Sequence, residues 1–382
     1  MKIAVIGPTY PFRGGLAHYT TLLVHHLRQK HQVDFYSYWR QYPQWLFPGN
    51  AASDPSEIKL VEACERTIDP LNPLTWWKTA NQIVKAKPDI ILLQWWTPFW
   101  LPLLFAVARA ARRAQIPIIY LCHQFIEPDS GMAEWLLTRE GLRLGDGLIV
   151  VTEEEFAIAR RTFPKKPIKA GHLPLFDGFT QSNISQEAAR KLLGLDSSVS
   201  LLLFFGFVRR YKGLPYLLEA LSQLPDSVHL LIAGEFWENE QHYRDLIQQK
   251  GLEKRILLHN RYIRNEELEP YFAAANALVL PYLSGSQSAV GTLALHYGLP
   301  IIATNVGGLA ETVLDGETGL IVPPADSTAL ATALRRFFAE NLEPKLRSNI
   351  KGQRDHLSWA ALISVIEELS NELLADKPTK RV

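Results

Sequence analysis

Short apolar runs rich in β-branched residues alternate with stretches of helical periodicity along most of the 382-residue chain. In the first half the runs are Lys2–Gly7, Gln32–Tyr38, Asp89–Trp96, Pro117–Phe125 and Gly147–Thr152. In the second they are Ser200–Phe205, His229–Phe236, Arg255–Tyr262, Ala277–Tyr282, Pro300–Val306 and Gly319–Val322. Between them lie segments with apolar positions three and four apart, such as Ala17–Arg28 (Tyr19, Leu22, Leu23, Leu27) and Thr328–Phe338. Strands that are apolar throughout are buried on both faces, so the alternation predicts an α/β chain with parallel sheets covered by helices.

The two halves begin alike. Met1–Leu27 reads as strand, a loop with Arg13-Gly14-Gly15, then helix; Ser200–Leu221 reads as strand, a loop with Arg209-Arg210-Tyr211-Lys212-Gly213, then helix. The architecture restarts without a sequence repeat. The pattern predicts a first Rossmann-like domain over residues 1–175, a polar connection over 176–199 with one helical piece (Gln186–Leu195), a second domain over 200–355, and a last helix and tail over 356–382. Two such domains facing across a cleft would hold ligand at the carboxyl ends of their strands.

Ile90–Ala108 is a stretch of 19 residues without a charge, which meets the length of a membrane span. Gln94, Thr97, Pro98 and Pro102 interrupt it, and the better parse is a buried strand, a turn, and a helix running through Arg112-Arg113. The amino-terminal strand is too short for a secretion signal, so a cytoplasmic location is expected.

Composition narrows the partners. Forty Lys plus Arg against 39 Asp plus Glu leave a charge of +1, which gives no field for nucleic acid. Cys64 and Cys122, the two cysteines, lack metal spacing and form no disulfide framework. The dinucleotide G-x-G-x-x-G, the P-loop, G-x-S-x-G and H-E-x-x-H are all missing, and so is any D-x-D pair that would hold a diphosphate through a metal. An anion bound here must rely on backbone amides, helix starts and basic side chains; no metal or other cofactor is expected.

Three segments offer that chemistry. Gly14 and Gly15 precede the first helix and let the backbone approach a ligand. Arg209, Arg210 and Lys212 lie between a strand end and a helix start, a good clamp for a departing diphosphate. Ser284–Gly291, which includes Gln287, Ser288, Ala289 and Val290, joins a strand to a helix through small residues that open a nest of amides. Asn305–Glu311 repeats the device one strand later. Each segment alone also fits a plain turn; their recurrence at strand ends is the signal.

Of eleven histidines, His123 follows the strand Pro117–Cys122 and sits at the carboxyl edge of the first sheet, where a neutral imidazole could bond a hydroxyl or phosphate. His172 is a weaker candidate near the connection, while His25, His26, His31 and His242 read as helix-surface residues. Seven of the ten tryptophans fall within the first 100 residues: Trp39, Trp45, Trp76, Trp77, Trp95, Trp96 and Trp100. Tyr36–Phe47 reads as an aromatic, loop-like stretch that either covers a small core or stacks on sugars.

On these residues the chain resembles a family 4 glycosyltransferase of the GT-B fold, over nearly its whole length. The resemblance is carried by Pro11-Phe12-Arg13-Gly14-Gly15-Leu16, by Cys122-His123, by Gly206–Gly213, and above all by Gly298–Glu311 continuing to Asp315–Val322. It implies a nucleotide-sugar donor bound mainly by the second domain, a glycan or lipid-linked acceptor mainly on the first, retention of anomeric configuration and no divalent metal. Gly15 would approach the donor diphosphate, Arg209 and Lys212 would stabilise the leaving group, His123 would touch the transferred sugar, and amides around Ser288–Val290 would line the pocket. The last helix would cross back onto the first domain.

The chain departs from the family at two places. Gly285 and Leu293 stand where a pair of glutamates is usual, and Phe207 replaces the arginine that commonly follows the first loop glycine. Gln287-Ser288 is similar to a variant subset of the family. A non-catalytic partner-binding subunit and a sugar-nucleotide epimerase are the competing readings. Arg109, Arg112, Arg113, Arg160, Arg161, Lys165 and Lys166, with the Tyr36–Phe47 aromatics, permit peripheral contact with anionic lipid at the inner membrane face.

Overall fold

The computed structural model describes residues 1–43, 53–125, 131–179, 182–285, 287–353 and 357–375. They form two compact units. The first holds Met1–Asp54, Leu60–Pro174 and the chain from Leu357 on; the second holds Pro55–Lys59 and Leu175–His356.

Unit one runs β1 (Lys2–Ile6), α1 (Gly15–Arg28), β2 (Gln32–Tyr38), β3 (Glu65–Ile68), α2 (Pro73–Ala86), β4 (Ile90–Trp95), α3 (Leu101–Ala114), β5 (Ile118–Cys122), α4 (Met132–Arg143), β6 (Gly147–Val150), α5 (Glu153–Thr162) and β7 (Ile168–Ala170). Its sheet is parallel throughout, in the order β3-β2-β1-β4-β5-β6-β7. Every residue of β4 and β5 is buried, because helices cover both faces of the sheet. The order reverses between β1 and β4, and such a switch point opens a crevice at the strands' carboxyl ends.

Local signals explain the helix limits. The Asn72 side chain accepts from Leu74 N–H at the start of α2. Thr152 does the same for Glu155 at the start of α5, which carries three glutamates in its first turn and Arg160 and Arg161 in its last. The long uncharged run resolves into β4, one turn of 3-10 helix (Pro98–Trp100) and α3, whose end is marked by Gln115 in the left-handed region. No helix among the described residues is long and apolar enough to cross a membrane.

Unit two runs α6 (Gln186–Leu192), β8 (Ser200–Phe205), α7 (Leu214–Ser222), β9 (Val228–Ala233), α8 (Glu240–Gln249), β10 (Ile256–His259), α9 (Leu268–Ala274), β11 (Ala277–Leu280), α10 (Ala289–His296), β12 (Ile301–Thr304), α11 (Leu309–Thr312), β13 (Gly319–Val322), α12 (Ser327–Ala339) and α13 (Glu343–Gln353). Its six parallel strands lie in the order β10-β9-β8-β11-β12-β13, with the reversal between β8 and β11. The last helix, α14 (Trp359–Ala375), packs in unit one. Its Trp359 ring lies 5.3 Å from the rings of both Tyr19 and His26, and Glu367 meets His31 at 2.9 Å.

Several expectations need correction. β3 and β7 escape the hydrophobic pattern because they are short edge strands with polar residues such as Glu65, Arg66 and Lys169. Tyr36 and Tyr38 belong to β2 and are buried, so the aromatic loop begins only at Trp39; Trp45 and Phe47 lie outside the described residues. His31 is not on a helix surface: it follows α1 and holds α14. Residues 175–199 fold into unit two, where the buried Arg190 donates to Ala274 and Ser197 carbonyls and to Asn276 Oδ1.

Candidate functional site

At the unit-two switch point, β8 ends at Phe205 and the chain turns through Gly206–Gly213 into α7. The turn is a tight one. Gly213 sits at φ +68°, and a Cβ there would come within 1.9 Å of the Pro281 carbonyl oxygen. Only glycine lets this loop lie against the one that leaves β11. Leu283 N–H also donates to the Tyr211 carbonyl at 2.7 Å, which ties the two loops together.

That close approach gathers the predicted residues. The Lys212 side chain is buried, with Nζ 5.6 Å from the Tyr282 ring centre, and a Cβ on Gly206 would stand 3.1 Å from Nζ and 3.3 Å from Val290 Cγ2. Tyr282 Oη lies 3.3 Å from Ser288 Oγ, and Ser288 caps α10 by accepting from Gly291 N–H. The amides of Ala289 and Val290 are thereby at the open start of α10. The Gln287 amide oxygen accepts from Thr312 Oγ1 at 3.2 Å. Ser286 lies outside the described residues.

The electrostatics follow from burial. Removing the Lys212 ammonium from water, with Arg209 adding repulsion, pushes its pKa down to about 7. Among the described residues no carboxylate forms an ion pair with Lys212. Arg209 is exposed at the loop's rim, its guanidinium 5.4 Å from the Tyr211 ring centre and 5.6 Å from that of Trp237. Phe207 stacks on Trp237 at 4.3 Å, so the side chain in the place of an arginine builds an aromatic wall. The Arg210 backbone is tied to Glu238 and its side chain points to solvent.

Unit one repeats the device with different side chains around it. Gly14 lies at φ +110°, yet nothing stands within 4 Å of the point a Cβ would occupy, so conformation alone demands glycine there. The loop before it is held by Arg66 Nη2, which donates to the Tyr10 carbonyl at 2.6 Å, and by Asp54, whose N–H donates to Pro11 and whose carboxylate lies 3.2 Å from His18 Nε2. His123 follows β5; its N–H donates to the Trp95 carbonyl and its Nε2 lies 2.5 Å from Gln94 Oε1. Tyr19, one helical turn beyond Gly15, meets the imidazole edge-on at 4.5 Å. Burial pushes the His123 pKa down to about 3, so the ring is neutral at any physiological pH.

Some candidates are placed elsewhere. His172 bonds the Ser358 carbonyl at 3.0 Å and anchors the approach to α14. Leu293 is buried inside α10. Tyr282, Trp237 and Thr312 belong to no sequence motif; two are aromatics just beyond a strand's carboxyl end, which is the signal that points to them. Among the described residues no group of His, Cys, Asp and Glu has the arrangement of a metal site.

Comparison with known proteins matches each unit separately. Residues 13–172 match the family described as Glycosyltransferase Family 4, and residues 200–340 match Glycosyl transferases group 1. The chain belongs to Glycosyltransferase Family 4. The D-inositol 3-phosphate glycosyltransferase of Xylanimonas cellulosilytica is 32% identical over 47% of this chain and 45% of its own length. That of Corynebacterium diphtheriae is 27% identical over 59% of this chain and 55% of its own. The chain thus spans about half the length of the curated relatives it matches.

Solved structures agree on the fold. Sucrose-phosphate synthase from Thermosynechococcus elongatus superposes with a TM-score of 0.73 at 23% identity, over 98% of this chain and 99% of that one. Anabaena HepE in complex with UDP gives 0.74 at 18% identity, over 97% of this chain and 100% of the other. The chain therefore has the GT-B fold, built from two Rossmann-like units.

Proposed function

We propose that this glycosyltransferase moves a sugar, with retention of configuration and without a metal, from a nucleotide-sugar donor to an acceptor hydroxyl. The observation that carries the reading is Lys212: a buried ammonium at the β8/β11 switch point, beside Arg209 and the open start of α10. Diphosphate is the leaving group whose developing charge such a cluster matches, and the cluster's work is done chiefly in the transition state. Gln287, Ser288, Ala289 and Val290 line the donor side through side-chain oxygens and amides. On this reading Gly14 and Gly15 approach the diphosphate, and the neutral His123 bonds a hydroxyl of the transferred sugar.

Nothing in this scheme asks for a divalent ion, because two cations and helix amides already neutralise the diphosphate. UDP is the first nucleotide to try, since the solved Anabaena HepE complexes contain UDP and UDP-glucose. The acceptor class is a glycan, a lipid-linked sugar or a polysaccharide precursor, met in the cytoplasm or at the inner face of the membrane.

The test is a thermal shift of the purified chain with UDP, GDP, ADP and dTDP, each with and without EDTA. A nucleotide at a hundred times its dissociation constant stabilises the fold by about 2.7 kcal/mol. A rise with one nucleotide, unchanged by EDTA, is the expected result. A flat response to all four would instead favour a non-catalytic subunit.

A further inference from the structure

The charge of +1 for the whole chain conceals a segregated surface on unit one. Helices α3, α4 and α5 lie side by side there, and the grooves between them are lined by arginine and aromatic rings together. A groove of about 500 Å³ between α4 and α5 is lined by Trp135, Arg139, Arg143, Arg161, Thr162 and Phe163. A second, of about 240 Å³, is lined by Phe105, Ala108, Arg109, Arg112, Arg113 and Leu144. The Arg139 guanidinium lies 5.5 Å from the Trp135 ring centre.

Helix dipoles explain some of these cations, because Arg112, Arg113, Arg143 and Arg161 stand in last turns. They do not explain the apolar side chains beside them. Phe105 is 51% exposed, Leu136 45%, Leu137 51% and Met132 74%, all on the same pair of helices. Carboxylates are few beside these arginines: on α4 Glu140 stands between Arg139 and Arg143 and Glu134 is half-buried, while the exposed Glu153 and Glu154 lie in the first turn of α5, at the opposite end of that helix from Arg161. Lys166, near this cluster in sequence, turns inward instead and donates to the carbonyls of Leu142 and Gly145.

We propose that this α3–α4–α5 face docks on a bilayer rich in anionic phospholipid, with phosphate groups in the two arginine-lined grooves and Phe105, Leu136 and Leu137 entering the headgroup region. Charge complementarity selects the occupant. A protein partner of ordinary composition would leave five or more guanidinium groups without counter-charge, whereas an anionic leaflet supplies a field of phosphates and an apolar layer at one surface. Neither attraction suffices alone; basic residues and shallow apolar insertion reinforce each other. The assignment rests on this surface and not on the glycosyl-transfer reading.

Flotation of the full chain tests it, with vesicles of phosphatidylcholine alone and with about one quarter phosphatidylglycerol. The chain is expected to float with the anionic vesicles at least tenfold better, and to lose that preference as added salt shrinks the Debye length. Each arginine near an anionic surface is worth about fivefold, so R112Q, R113Q and R139Q combined should lower partition about a hundredfold. L136S with L137S should lower it severalfold while keeping the salt dependence, and melting curves of all variants verify the fold. Equal flotation with both vesicle types, or an unchanged partition for the arginine variant, overturns the proposal. So does a concentration-dependent dimer that dissolves with L136S and binds neither vesicle, which would assign the face to a second copy.

Discussion

The two switch points of this chain use one backbone device and surround it with different polar groups. In both units the first strand of the fold runs through a glycine-bearing loop into a helix, beside the place where strand order reverses. At unit two the loop buries an ammonium, Lys212, next to a guanidinium. At unit one several polar groups near the helix start are matched with one another: His123 with Gln94, Thr9 with Thr21, and His18 with Asp54. The crevice geometry comes from topology. What the crevice can bind is set by which side chains the loop carries, and the unit-two loop carries a buried lysine there.

The largest expected break in this comparison is Lys212→Ala. Turnover of nucleotide sugar should fall by about 10² to 10³, the loss seen when one transition-state donor is removed. Melting temperature should stay level or rise, because a buried charge has gone. Wild-type turnover from this variant would remove the diphosphate-clamp assignment.

Glycine substitutions separate the loops next. Gly213→Ala drives a methyl into the Pro281 carbonyl in addition to its positive φ, and should cost about 3 kcal/mol or more. Gly14→Ala meets open space and should cost about 2 kcal/mol, the backbone strain of the glycine-only conformation at φ 110° and ψ 164°. Urea unfolding of the two variants gives the comparison, and equal losses would contradict the crowding argument.

The pH dependences should also run apart. Lys212 has its folded pKa lowered from 10.5 to about 7, so between those values the unfolded chain holds a proton that the folded chain lacks. Stability should therefore rise with pH across that window, while affinity for diphosphate should fall as the ammonium is lost. His123, lowered from 6.5 to about 3, stays neutral in the fold while the unfolded chain protonates, so its contribution is lost as pH drops from 6.5 towards 3. Titrating nucleotide binding from pH 6 to 9 for wild type and Lys212→Met checks the first claim: the alkaline limb should vanish with the lysine.

The smallest effect is Ser288→Ala. Loss of the α10 cap should cost about 1 kcal/mol, with nucleotide affinity reduced severalfold as the helix start loosens. A change in affinity with no change in melting would show Ser288 touching ligand directly.

Most of the frame is legible in the residues. Continuous apolar runs such as Ile90–Trp95 and Leu201–Phe205 name central parallel strands, since only a strand covered on both faces can be apolar throughout. Gly206–Gly213 announces itself by cations between a strand end and a helix start. Edge strands β3 and β7 stay hidden, because a strand with one wet side needs few apolar residues. Trp237 and Tyr282 stay hidden as well, because an aromatic beyond a strand looks the same whether it fills a core or walls a site.

Local patterning and spacing along the chain are thus enough for the α/β class, the restart of architecture at Ser200 and the glycine-bearing loops at strand ends. The three-dimensional packing was needed to learn that Lys212 is buried while Arg209 and Arg210 are not, and that His172 and His31 serve the last helix. It also turned Lys166 inward, away from the arginines near it in sequence. Burial and partnership are properties of neighbours distant in the chain, and it is burial that moves a pKa, commits a donor or leaves a cation waiting for an anion.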